Sequence, residues 1–310
     1  MIDSMPTSGL VAIAVTPLDG GGNIDLPGIS TLMDFYISCG SSGLALLGVM
    51  GEANRMTDRE ARLVVEETMV SIDGRVPVIV GVSDSSLTRV RSLATFAMDS
   101  GAAGVLLQPL AGLAGDERVA GYFEVATATL GDIPICVQDF PKANGVHISP
   151  NTWRLIVERC PTVTMLKAED EPGLGKLTAI RRAEAAGQRR VTILTGNNGI
   201  HLVQELMRGS DGAMTGFAFP DVLARVIALH AAGRVDEAED LYDKYLPINR
   251  HEFRMGIGVR KEVLRRRKAI GTARARFPAS TLSRFDLEEI DRFLLRLEAV
   301  TGLLTTDIVR

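Results

Sequence analysis

A single lysine, Lys167, ends a short and mostly apolar run and is the residue of this sequence best suited to covalent chemistry. The pattern of residues 163–166 predicts a buried strand with Lys167 at its C-terminal end. An amine held among apolar side chains loses its proton more readily and becomes a nucleophile towards carbonyl carbon, so the pattern indicates a Schiff-base lysine. The alternative is an ordinary lysine that pairs with Glu169 or Asp170 just past the strand.

Two glycines flank Val49 and Met50 directly after another apolar run. Glycines leave backbone amides open to approach, so this segment can hold an anionic group such as a carboxylate. We therefore predict that Val49 and Met50 bind substrate. A plain tight turn is the alternative.

Two further apolar runs end in polar residues. Asp139, next to Gln138, is a candidate for assisting proton transfer, or else for capping the loop that follows. Gly196 and Asn197 precede a helical pattern, an arrangement that can bind phosphate, although no glycine-rich segment follows the next strand to complete such a site. Asp139, Gly196 and Asn197 are therefore candidate substrate-binding residues.

The elements that must position these residues alternate along the chain. Apolar runs and helical patterns recur as eight strand-helix units, the number that a closed parallel (β/α)8 TIM barrel requires. The predicted strands cover residues 11–16, 44–47, 76–82, 104–107, 133–137, 163–167, 191–195 and 212–215. The barrel is expected to span residues 1–232. Residues 233–310 are predicted to form a C-terminal helical segment packed on it, with breaks at Pro247, at Gly256 and at Pro278.

Composition narrows the range of functions. The chain has 310 residues, of which 46% are hydrophobic, so it can bury a large core. A formal net charge of -4 gives no attraction to nucleic acid or to anionic membranes, which favours a small-molecule partner over both. The four histidines lack the spacing of metal ligands, so we expect no metal site and no cofactor.

The cysteines and the N-terminal segment indicate the cellular compartment in which the protein acts. Three widely spaced cysteines in apolar or helical contexts indicate buried thiols in a reducing compartment. The first residues lack a basic region followed by an apolar core, and no apolar run reaches the roughly 18 residues that a membrane span needs. We therefore expect a cytoplasmic protein.

Taken together, six segments resemble the dihydrodipicolinate synthase and N-acetylneuraminate lyase family of class I, Schiff-base-forming aldolases. They are Ala14-Val-Thr-Pro17, Gly48-Val-Met-Gly-Glu52, Arg75-Val-Pro-Val-Ile-Val-Gly81, Gln138-Asp-Phe-Pro141, Leu166-Lys167 and Arg276-Phe-Pro278. The resemblance implies a (β/α)8 barrel and a homo-oligomer, a dimer or more usually a tetramer. It also implies that Lys167 forms an imine with pyruvate or another 2-oxo acid.

The sequence departs from the family pattern at residues that the family uses in catalysis. Val49 and Met50 replace two threonines that hold the substrate carboxylate, and Gln138 replaces the tyrosine that moves protons beside the imine. Further replacements affect a second tyrosine and an arginine, at Leu110 or Ala111 and at Ala143. The chain is thus predicted to be a divergent member. Its proton carrier is expected to be Asp139, the substrate carboxylate, or a water held by Gln138 and Asn197, and we favour the last two.

These expectations define a Schiff-base lyase or aldolase that acts on pyruvate or another 2-oxo acid by aldol cleavage, condensation or dehydration, with Lys167 and Gln138 as the catalytic residues. Two alternatives stay open. One is a catalytically silent barrel that binds a 2-oxo acid, and the other is a phosphate-binding barrel enzyme.

Overall fold

Parallel strands close into a barrel in chain order, which confirms the predicted (β/α)8 fold. The computed structural model describes residues 4–279 and 281–302. Strands β1 to β8 of these residues are Gly9–Ile13, Gly43–Leu46, Val78–Gly81, Gly104–Leu107, Ile135–Asp139, Val163–Ala168, Thr192–Thr195 and Gly212–Thr215. Each strand pairs with the next along the chain, and β8 pairs with β1.

Helices surround the barrel and extend it at the C-terminus. In the described part of the chain, α1 to α12 are Leu26–Ser38, Asp58–Ile72, Leu87–Asp99, Asp116–Leu130, Pro141–Asn144, Pro150–Arg159, Leu174–Ala185, Leu202–Met207, Pro220–Ala231, Val235–Met255, Ile257–Arg266 and Arg284–Thr301. Local sequence signals begin some of them. Thr57 and Glu60 form a reciprocal capping box at the start of α2, and the Ser149 side chain accepts from the Thr152 amide at the start of α6.

The core has two layers because strand side chains alternate between the barrel interior and the helices. The interior is filled by apolar side chains that include Val11, Ile79 and Met165. Met5 belongs to this inner core and lies against Gly104 at the start of β4, so it closes the bottom of the barrel. Met50 packs on the same core and lies just after the end of β2. The open end is therefore the one formed by the C-terminal ends of the strands.

The C-terminal extension differs from the prediction at one proline. Pro247 lies inside α10 instead of separating two helices. Proline removes a hydrogen bond from the carbonyl four residues earlier, here that of Asp243. Both residues are exposed, so water can satisfy that carbonyl and the helix continues.

A buried ion pair joins this extension to the barrel. Lys261 Nζ on α11 lies 2.6 Å from Glu52 Oε1, which follows β2, and both residues are at most 1% exposed. Burial lowers the pKa of Lys261. The division at residue 232 stays a prediction, and residues 303–310 lie outside the described part. No helix of the described residues is long and apolar enough to cross a membrane.

Candidate active site

Lys167 lies at the open end of the barrel with its side chain on the inner face of β6. It pairs in register with Gln138 of β5 and with Leu194 of β7. Its side chain is 7% exposed. Met165, two residues earlier on the same face, belongs to the inner core, so strand alternation brings Lys167 above that core.

A carboxylate that the sequence analysis treated as an ordinary partner, Glu169, contacts Lys167 directly. Lys167 Nζ lies 2.8 Å from Glu169 Oε2, and the side chains are 7% and 9% exposed. Glu169 stands two residues after Lys167, so the strand's alternation brings both to the same face although β6 ends at Ala168. That spacing is the signal that could have identified it.

Gln138 completes the contacts of this carboxylate. Its Nε2 donates to Glu169 Oε2 at 2.6 Å, and its Oε1 accepts from Gln108 Nε2 at 2.9 Å. The two bonds fix which end of the Gln138 amide faces Glu169. Gln138 thus lies beside Lys167, as predicted, and contacts it through the shared carboxylate.

Gly196 and Asn197 also surround Glu169. A Cβ added to Gly196 would lie 2.3 Å from the Glu169 side chain, so only glycine leaves room for the carboxylate here. The Asn197 amide donates to Glu169 Oε1 at 3.4 Å, and Asn197 Nδ2 donates to the Glu169 carbonyl at 3.1 Å. The Oδ1 atom of Asn197 is buried and has no partner among the described residues.

Val49 and Met50 begin a single 3₁₀ turn after β2. The bonds of the turn use the amides of Gly51 and Glu52, which donate to the carbonyls of Gly48 and Val49. The first amides of such a turn have no partner within it, so those of Val49 and Met50 are open to an anion. Val49 is 48% exposed.

Asp139 does not join this group. Its side chain is on the outer face of β5, where Oδ2 lies 2.6 Å from Lys176 Nζ, and it lines a cavity between the barrel wall and α7. Burial raises the pKa of Asp139 to about 6 and that of Glu205, in the same cavity, to about 7. The barrel wall therefore separates the Asp139 carboxylate from the Lys167 side chain.

The arrangement places an amine, a carboxylate and two amides at the open end of a barrel. A carboxylate within hydrogen-bond distance of an amine can accept its proton and return it in a later step. The described residues contain no group of three or more histidine, cysteine or acidic side chains that could hold a metal ion.

Comparison with known proteins finds members of one family that are similar to nearly the whole chain. The model of the dihydrodipicolinate synthetase family matches residues 6–295. An L-2-keto-3-deoxyarabonate dehydratase of Azospirillum brasilense is 31% identical over 279 residues, 88% of this chain and 89% of that protein. A 4-hydroxy-tetrahydrodipicolinate synthase of Methanococcus maripaludis is 28% identical over 249 residues, 79% of this chain and 83% of that protein.

Solved structures of proteins from this family have a similar fold. A dihydrodipicolinate synthase from Rhodopseudomonas palustris has a TM-score of 0.92 at 39% identity, over 94% of this chain and 99% of that chain. A prophage protein of the same family from E. coli K12, solved in complex with pyruvate, has a TM-score of 0.87 at 22% identity, over 95% of this chain and 99% of that chain, a likeness of fold alone. Since the family model and the dehydratase both align with most of the sequence, the chain belongs to the dihydrodipicolinate synthetase family and is a lyase-type enzyme of the class I aldolase kind.

Proposed function

We propose that Lys167 forms an imine with the C2 carbonyl of pyruvate or a related 2-oxo acid. The observation that supports this most is the buried contact of Lys167 with Glu169 at the open end of the barrel. Glu169 takes a proton from the lysine ammonium, and the free amine adds to C2. The amine nitrogen and the protonated Glu169 each give one proton to the carbonyl oxygen, which leaves as water. Glu169 is again a carboxylate, and a positively charged C=N bond to Lys167 is left.

Glu169 then moves the protons at C3. Its carboxylate removes a proton from C3, and the electron pair of that C–H bond moves towards the iminium nitrogen to give an enamine. The family's tyrosine is replaced by Gln138, whose amide cannot exchange a proton in this way. Gln138 instead donates a hydrogen bond to Glu169 and orients it. We thus propose Glu169 as the proton carrier in place of the three candidates taken from the sequence.

The polar lining favours a hydroxylated substrate and dehydration. Gln108 and Asn197 are neutral amides, and Asn197 Oδ1 has no partner among the residues described, so it can accept a bond from a substrate hydroxyl. The dehydratase relative acts, by its name, on a 2-keto-3-deoxy sugar acid. In such a substrate the enamine electrons expel the C4 hydroxyl, which leaves as water with a proton from Glu169. Water then hydrolyses the imine and restores Lys167.

The substrate carboxylate is proposed to bind the open amides of Val49 and Met50. The turn contains no threonine hydroxyl at these positions, so recognition depends on the backbone. Met50 packs on the inner core just after β2, so the turn that carries these amides lies at the same end of the barrel as Lys167.

Neither the phosphate-binding barrel enzyme nor the catalytically silent binder gains support from the contacts of the site. A phosphate at the Gly196 loop would have to occupy the space of the Glu169 carboxylate, and two anions at that distance repel each other. A silent binder would not need a carboxylate within 2.8 Å of the Lys167 amine. Turnover decides between the silent binder and the lyase.

We also propose a cytoplasmic homo-oligomer, either a dimer or a tetramer. Two leucines of α12, Leu294 and Leu297, are buried within their own protomer. Leu295 is 65% exposed and Phe285, on the same helix, is 75% exposed. Light scattering at micromolar concentration is expected to report a dimer or tetramer, and a monomer would contradict the proposal.

Borohydride trapping tests the imine. Pyruvate plus borohydride is expected to add one reduced adduct per chain, and peptide mapping is expected to place it on Lys167. Lys167→Ala should abolish the adduct, whereas Lys142→Ala, which removes a lysine that is about half exposed (51%) and paired with Glu171, should retain it. An unchanged mass with several 2-oxo acids would refute the imine.

A further inference from the structure

Two consecutive asparagines after β7 hold an unusual backbone conformation. Asn197 and Asn198 are both left-handed, with φ angles of 51° and 58°. Asparagine tolerates this region better than most residues, but two in succession persist only where surrounding contacts fix them. The segment lies at the open end of the barrel, where Asn197 contacts Glu169. The contacts that hold Asn197 and Asn198 in this conformation therefore also affect the active site.

Two charged residues of the C-terminal extension fix Asn198. Its Nδ2 donates to Glu252 Oε1 at 3.1 Å, and its Oδ1 accepts from Arg260 Nη2. Arg260 Nε also donates to Glu252 Oε1 at 2.7 Å, so the three side chains form a closed ring of hydrogen bonds. Asn198, Glu252 and Arg260 are 5%, 0% and 2% exposed. Leaving a buried polar group without its hydrogen-bond partner costs a large desolvation free energy, so the ring has little freedom to rearrange.

The backbone beside the ring is held as well. Asn249 Nδ2 donates to the carbonyl of Asn198 at 3.0 Å, and the hydroxyl of Tyr242 donates to the carbonyl of Gly199. Both donors lie on α10, as does Glu252. Glu252 Oε2 accepts from the amide of Ala218 at 3.1 Å, which connects the ring to the end of β8. The extension thus holds the backbone of residues 198–199 through α10, and the Asn198 side chain through both α10 and Arg260 of α11.

Asn197 transmits this restraint to the active site. It makes two hydrogen bonds to Glu169, one to the carboxylate and one to the carbonyl. Since Asn197 and Asn198 share a peptide bond, a rotation of Asn198 would move both donors. The Glu169 carboxylate would then lose one of the three contacts that orient it, the others being with Lys167 and Gln138.

We propose that Asn198 is a positioning residue that keeps Glu169 aimed at the substrate, held in place by Glu252 and Arg260 of the C-terminal extension. This inference rests on the proposed function, in which Glu169 moves the proton at C3. Asn198, Glu252 and Arg260 touch no reacting atom and act through Asn197. The extension therefore governs proton transfer, while imine formation depends on Lys167.

The substitution Asn198→Gly separates the two steps. Glycine adopts the left-handed backbone freely, so the variant removes the side-chain bonds and leaves the conformation accessible. Imine formation is measured as the borohydride adduct with pyruvate. Proton transfer is measured as exchange of the pyruvate methyl protons for deuterium, followed by proton NMR in D₂O. Given time to reach completion, the adduct is expected to reach the wild-type yield of about one per chain, whereas the exchange rate is expected to fall about 10- to 100-fold, as misplaced catalytic groups usually show.

Two further variants make the result interpretable. Val90→Ala removes methyl groups from a fully buried site on α3, which packs mainly on α2, α4 and β4, and should lower stability while leaving the adduct yield and the exchange rate unchanged. Asn198→Asp also tolerates the left-handed backbone but lacks the donor to Glu252, so it should show the same selective loss of exchange if the glycine variant fails to fold. Exchange at the wild-type rate in either folded variant overturns the inference. Failure of wild-type protein to form the adduct would instead refute the proposed function.

Discussion

The contact between Lys167 and Glu169 is consistent with both interpretations of Lys167 that the sequence offered as alternatives. A lysine paired with the acid two residues later was the ordinary alternative to a Schiff-base lysine. The pair exists, at 2.8 Å, yet it lies at the open end of the barrel with Gln138 bonded to the same oxygen. Because the carboxylate can accept the amine's proton, pairing and catalysis are compatible here.

Replacing Glu169 by glutamine tests its role as proton carrier. The amide keeps the size of the side chain and one of its two acceptor oxygens but cannot accept a proton, so pyruvate methyl exchange should fall about 10²- to 10⁴-fold, the usual contribution of a positioned acid or base. Asp170→Asn is the control, because Asp170 bonds to Lys176 on the other side of the barrel wall and the variant should exchange normally. Normal exchange in Glu169→Gln would assign the proton to another group.

Glu205 provides a second test at the residue scale, in stability. Burial raises the pKa of this carboxyl from 4.5 to about 7, so the folded state favours the protonated form. The associated stability is complete below pH 4.5 and is lost as the pH rises through about 7, a loss on the order of 3 kcal/mol. Glu205→Gln, which stays neutral, should therefore be more stable than wild type at pH 8 and similar near pH 5.

Urea unfolding of both proteins at the two pH values measures this difference. Glu66→Gln, which changes an exposed glutamate on α2, should show no such dependence on pH. A stability gain in Glu205→Gln that is equal at both pH values would show that the carboxyl is not protonated on folding.

At the scale of elements, the apolar runs and the helix caps predicted the barrel well. Features that depend on which way a residue faces in the folded chain were not predicted. The eight strands lie where the runs are, and Lys167 ends the sixth. Asp139 follows Gln138 directly on β5, so alternation turns its side chain away from Lys167 and towards Lys176. Pro247 was taken for a break because the sequence does not tell which face of α10 meets water. Glu169 was missed as a site residue because alternation was not carried past the strand's end.

The capping box of α2 makes a prediction at this scale. Thr57 accepts from the amide of Glu60, and Glu60 also pairs with Arg276 of the segment after α11. Thr57→Ala should lower the free energy of unfolding by about 1 kcal/mol, since the amide loses its acceptor. Thr57→Ser retains the hydroxyl and should cost much less, as measured by urea unfolding. Equal losses in the two variants would mean that the methyl group, not the cap, matters.

For the whole molecule, buried contacts join the extension to the barrel, and we expect the two to unfold together. Lys261 and Glu52 form a buried ion pair across their boundary. Lys261→Met would remove the buried cation from Glu52 and leave only Arg55, which lies 3.1 Å from the other carboxylate oxygen and is partly exposed. Removing one partner of such a pair typically costs about 3–5 kcal/mol of stability. The double variant Lys261→Met with Glu52→Gln should recover part of this loss in urea unfolding, because no buried charge is then unpaired. A double variant no more stable than the single one would contradict this account.

The apolar filling of the barrel below Lys167, closed by Met5, blocks passage through the bottom of the barrel and leaves the C-terminal end of the strands as the way to the active site. Substrate, product and water must all pass through it. The water released when the imine forms is then the water nearest to the carbon that must later be hydrolysed. Part of the oxygen lost from C2 should accordingly return to C2 within the same turnover, so a substrate labelled with ¹⁸O at its carbonyl would yield product that keeps some of the label.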